Sequence, residues 1–85
     1  MFDSAIYYIE NEGPDGRVPI SHDGIRVASF ASRDDAARLA THLASIASEM
    51  GMHGRVIDRG GRRPSVIFDR GPIAEADLPW QAVEA

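Results

Sequence analysis

The sequence predicts a small α+β domain of order β-β-α-β-β, with one helix packed on a four-stranded, mainly antiparallel sheet. Three observations lead there. Between Ser32 and Gly51 the apolar residues fall at helical spacing. On both sides lie short runs of β-branched and aromatic residues, separated by Gly, Pro, Asn and Asp. And 85 residues make one domain, for which a helix lying on a sheet is the natural two-layer solution.

The elements follow in order. Ser4 to Glu10 (SAIYYIE) reads as a strand, and Asn11 to Gly16 (NEGPDG) as a turn. Arg17 to Ser21 holds Val18 and Ile20 around Pro19. Proline cannot donate to a sheet ladder, so this piece reads as an edge strand or a loop. His22-Asp23-Gly24 is a second turn, and Ile25 to Phe30 a second strand. Ser32 is placed as a helix N-cap, with Asp34 and Asp35 in the first turn, where the helix dipole favours negative charge. Ala36, Leu39, Ala40, Leu43, Ile46, Ala47 and Met50 form the apolar stripe, with Leu43 at its middle, and Gly51 ends the helix. Arg55 to Arg59 and Ser65 to Asp69 read as a hairpin around Gly60 to Arg63. That register places Ile57 opposite Val66 and Val56 opposite Ile67, so Ile57, Val66 and Phe68 share one face. Residues 1–70 are the domain. Residues 71–85 are an acidic tail, with Ile73, Leu78, Trp80 and Val83, that can pack on the sheet.

Composition removes several chemistries. There is no cysteine, hence no disulfide, thiolate nucleophile or cysteine metal site. There is no lysine, since all nine basic residues are arginine. A Walker A loop and Schiff-base chemistry both need that lysine. With twelve alanines, this usage suggests a GC-rich bacterial gene. No apolar run approaches a membrane span and no signal peptide is evident, so a cytoplasmic address is expected. His22, His42 and His53 lack the i, i+4 spacing of a helical zinc site, no serine sits in a G-x-S-x-G elbow, and Asp34 and Asp35 are explained as helix-start residues. No metal, cofactor or catalytic residue is expected, and the chain reads as a non-enzyme.

Two surfaces remain. The strands do not alternate: Ile6 and Tyr8 point one way while Tyr7 and Ile9 point the other, and Val56 and Ile67 oppose Ile57, Val66 and Phe68. Both sheet faces are therefore apolar, and the one without the helix needs a cover. Tyr7, Tyr8, Val56, Ile67 and Trp80 are the candidate protein-binding residues. The expected partner is another protein or a second copy in a homodimer. The second surface is basic. Residues 54–70 carry five arginines against Asp58 and Asp69, for +3, between acidic ends of −4 (residues 1–16) and −3 (residues 71–85). Arg55, Arg59, Arg62 and Arg63 are the candidate nucleic-acid contacts, although no aromatic residue interleaves with them along the chain. The leading expectation is a protein-binding adaptor, inhibitor or small subunit, of bacterial or phage origin, working through its sheet face or tail. The alternative is a nucleic-acid-binding accessory protein.

Overall fold

The structure, a computed structural model, describes residues 3–73. Strands β1 (Ser4–Ile9), β2 (Val18–His22) and β3 (Ile25–Phe30) precede helix α1 (Arg33–Glu49), and β4 (His53–Asp58) and β5 (Ser65–Arg70) follow it. The expected α+β class holds, but the sheet has five strands, in the order β3-β2-β1-β4-β5. It is mixed: β1 runs parallel to β4 and the other three pairings are antiparallel.

The fifth strand is the piece around Pro19, and it lies inside the sheet rather than at its edge. Proline is tolerated there because of what lies beside it. Pro19 reaches just past the end of β1, and its carbonyl accepts from the Glu10 N–H at 2.9 Å. An antiparallel pair of this kind would return a bond from residue 19 to the Glu10 carbonyl. Proline has no N–H to give, and Arg33 Nη2 donates to that carbonyl instead, at 2.7 Å. A helix side chain thus replaces the missing strand donor.

The β2–β3 turn is Asp23-Gly24, with φ of 52° and 77°. Two positive φ values mark a tight hairpin turn whose twist matches that of the strands it joins. In β4–β5, Ile57 does face Val66, but Val56 pairs with Phe68 and not with Ile67. A bulge puts one extra residue, Ile67, into β5 and moves Phe68 to the helix side, where it packs against the core.

Ser32 caps α1 as expected, its Oγ accepting from the Asp35 N–H at 3.2 Å. The buried stripe is shifted from the predicted one. It runs through Ala36, Ala40, Ala44, Ala47 and Ser48, while Leu43 is half-buried, and Ile46 and Met50 are 38% and 72% exposed. Volume explains the shift. Ile9, Val18, Ile20 and Val56 fill the space above the sheet, leaving room at the middle of the contact for alanine methyl groups, with Leu39 packed at its margin. Gly54 makes the closest approach: a Cβ there would lie 2.0 Å from the Ala44 carbonyl oxygen. Ser48 is fully buried but satisfied, its Oγ donating to the Gly71 carbonyl and accepting from Arg70 Nε. The Ile73 N–H donates to the Ser48 carbonyl at 2.9 Å, tying the chain after β5 to the end of α1.

Candidate interaction face of the sheet

Helix α1 covers one face of the sheet, and strand register shows what the other presents. Directly paired residues share a face. One row therefore runs Arg26, Ser21, Tyr8, Ile57, Val66 across all five strands. The next holds Ile6, Arg55 and Asp69, and the last Ser4 and His53. At the opposite end Glu10 and Arg59 continue β1 and β4, with the Arg59 N–H bonded to the Ile9 carbonyl at 2.8 Å. Tyr8, Ile6 and Ile57 are half-buried, whereas Val66 and Ile67 on the edge strand are 55% and 44% exposed. The centre is apolar and no second layer covers it among the described residues.

Two charged clusters border this centre. In the first, the Arg59 guanidinium sits 3.7 Å from the centre of the Tyr8 ring, a cation–π distance, and lies 3.3 Å from Glu10 Oε2. The Ser21 hydroxyl donates to the same carboxylate oxygen. In the second, Asp69 accepts from His53 Nε2 on one oxygen and pairs with Arg55 Nη2 at 3.2 Å on the other. Arg55 Nε is shielded from water and has no acceptor among the described residues.

The predicted protein-binding residues separate. Tyr8 and Ile67 belong to this open side. Tyr7 points to the helix side, packs on the core and stacks on His22 with ring centres 4.7 Å apart. Val56 is completely buried in that same core and offers no surface. Trp80 lies outside the described residues. Of the arginines, Arg55 and Arg59 are on the open face in ion pairs, and Arg62 and Arg63 are exposed in the β4–β5 loop. Asp69 pairs with Arg55 within the hairpin, whereas Asp58 is taken by Arg33 of the helix at 2.6 Å. An aromatic does stand beside the arginines. It is Tyr8, delivered from β1 by the parallel pairing, which no local pattern around residues 55–63 contains. The same parallel pairing sets Glu10 and Arg59 side by side and Ser4 beside His53, while Ser21 enters from β2 and Asp69 from β5 through antiparallel pairings.

The His53 hydrogen bond holds the Asp69 carboxyl below its usual value near 3.8, and the Arg55 charge adds to this against partial desolvation. A depressed folded pKa stabilises the protein above the unfolded value, and the contribution disappears as pH falls through the folded one. Asp69→Asn should therefore lower stability at neutral pH and flatten its decline below about pH 4. Urea denaturation of both proteins across the acid range checks this; parallel curves would show that Asp69 contributes no such linkage.

Among the described residues no three His, Cys, Asp or Glu side chains gather as metal ligands, and no helix is long and apolar enough to cross a membrane. No protein-family model, curated protein or solved structure matches the chain.

Proposed function

We propose that this chain is a non-enzymatic protein-binding module that works through the open sheet face and the neighbouring β5 edge. The carrying observation is the apolar centre of Tyr8, Ile57, Val66 and Ile67, uncovered among the described residues and bordered by the Arg59–Glu10 and Arg55–Asp69 pairs. An apolar centre within a charged rim is the usual anatomy of a protein interface. Edge strand β5 adds unpaired backbone groups that an incoming strand can extend, with Val66 and Ile67 beside them. A second copy is the simplest partner; an adaptor, inhibitor or small-subunit role uses the same face on a different protein. One observation favours a second reading, nucleic-acid binding: Arg59 lies over Tyr8 on a face that also carries Arg26 and Arg55, an arrangement suited to phosphates and stacked bases.

A photo-crosslinking side chain at position 67, in cells that express the protein, tests the proposal, with position 38 on the exposed side of α1 as control. A discrete protein adduct from 67 and not from 38 is the expected result, and an adduct of two chains identifies self-association. An adduct to nucleic acid would promote the second reading. Equal or absent adducts at both positions would sink the binding face.

A further inference from the structure

We infer that the groove between α1 and the β2–β3 hairpin, on the helix side of the sheet, is a docking site for a basic amphipathic helix of another protein; this goes beyond the open-face reading and does not depend on it. The groove follows from widths. Five strands span about 19 Å between the outer two, and a helix with its side chains is about 10 Å across. Among the described residues α1 is the one helix, and it sits toward one side of that span. Ala44 lies against Gly54 of β4, and Ser45 and Ser48 bond Arg70 of β5. The flank with Leu39, Leu43, Ile46 and Met50 therefore turns the other way, over β2 and β3. Strand register supplies the second wall. Ile25 shares a row with His22 and Tyr7, Ala28 with Ile20 and Ile9, and Phe30 with Val18, all on the helix side. The helix runs against the direction of β3, so Leu39 lies toward Phe30, and Ile46 and Met50 toward Ile25. Leu39 and Phe30 pack on the core at one end. Ile25, 67% exposed, and the exposed Ile46 and Met50 leave the other end open.

Spacing and charge choose the occupant. Leu39, Leu43, Ile46 and Met50 recur at alternating steps of four and three residues, the seam that one helix offers to another. The uncovered sheet beside α1 is about as wide as the 8–10 Å spacing of packed helices. Asp35, His42 and Glu49 recur at every seventh residue along the solvent side of this stripe, Asp23 stands at the hairpin turn, and no arginine follows Arg38 on the helix. An apolar groove with an acidic border takes a helix whose polar side is basic. A second copy fits less well, because two such flanks packed together would set one acidic border against the other. An anionic membrane surface is repelled for the same reason.

Fluorescence polarisation with the full chain and a labelled model peptide tests this. The peptide is about four helical turns long, with leucine at i, i+3, i+4 and i+7 and arginine on its polar side. Its control carries glutamate in place of arginine. The arginine peptide should bind at least about tenfold tighter than the control in low salt, and the preference should shrink as salt screens the charges. Ile25→Ser with Ile46→Ser should weaken binding by about tenfold or more while circular dichroism shows an intact fold, since both side chains are exposed. Asp35→Arg with Glu49→Arg should turn the preference toward the glutamate peptide. Ile67→Ser, on the open sheet face, should change neither. Equal binding of the two peptides, no binding, or loss through Ile67→Ser alone would overturn the inference. A scattering mass of two chains that falls to one in the Ile25→Ser, Ile46→Ser chain would assign the groove to a second copy. A photo-crosslink from position 46 to residues 74–85 of the same chain would assign it to the chain's own end. The open-face reading stands or fails separately, on the adduct from position 67.

Discussion

Gly54→Ala should destabilise the protein by at least about 3 kcal/mol, a large share of the roughly 5–10 kcal/mol that holds a domain of this size together. The added methyl would lie 2.0 Å from the Ala44 carbonyl oxygen, 2.8 Å from its carbon and 3.2 Å from its Cα. All three are backbone atoms, so no rotamer change relieves the clash. The helix has to lift from β4, and its other buried contacts are small. Ala36, Ala40, Ala44 and Ala47 touch the sheet through single methyl groups, and a gap of even 1 Å forfeits a quarter to a half of such an attraction. Thermal or urea denaturation reads the effect. A loss under 1 kcal/mol would mean that α1 does not approach β4 this closely.

That contact illustrates what the sequence discloses and what it hides. The Ser32 cap, the start and end of α1 and the Asp23-Gly24 turn are local features, decided by residues within one turn of each other, and each reads directly. Which side of the helix faces the sheet is not local. Leu43, Ile46 and Met50 look like part of the core stripe because they are large and apolar, yet the space beneath the helix is set by Ile9, Ile20 and Val56 on three other strands, and of the large helix residues Leu39 packs against that core. The same holds for β2. Pro19 argues against an interior strand until Arg33, fourteen residues later, is seen to supply the missing donor. Single members of the open face, Tyr8, Arg55, Arg59 and Ile67, are legible as unusual residues. Their grouping is not, because it depends on the parallel pairing of β1 with β4, which joins residues 49 positions apart in the chain. Val56 shows the converse error: its parallel pairing with Tyr7 puts it on the side of Gly54, against the helix, and an expected surface residue becomes the centre of the core.

Arg33→Ala should cost about 2 kcal/mol, the second largest effect among these substitutions. Its guanidinium joins three elements: Nη1 donates to Asp58 Oδ1 at 2.6 Å at the end of β4, and Nη2 to the Glu10 carbonyl at 2.7 Å past the end of β1, both from the first residue of α1. Both sites are partly shielded, the side chains of Arg33 and Asp58 being 33% and 22% exposed. Hydrogen bonds to charged groups contribute about 1.5–3 kcal/mol, and exposure places this pair toward the lower part of that range. Among the described residues, removing Arg33 also leaves the Glu10 carbonyl facing a proline ring with no donor, while Asp58 keeps only its bond from the Gly60 N–H at 2.7 Å. Arg33→Lys distinguishes charge from geometry. A single ammonium can approach Asp58 or the carbonyl but cannot fork between them, so lysine should recover less than half of the loss. Equilibrium denaturation of the three proteins decides it. Full rescue by lysine would reduce Arg33 to a simple counter-ion of Asp58. Partial rescue, combined with faster amide exchange at Glu10 and Ile20 than in the parent, would place the weakened point at the Pro19 gap in the sheet.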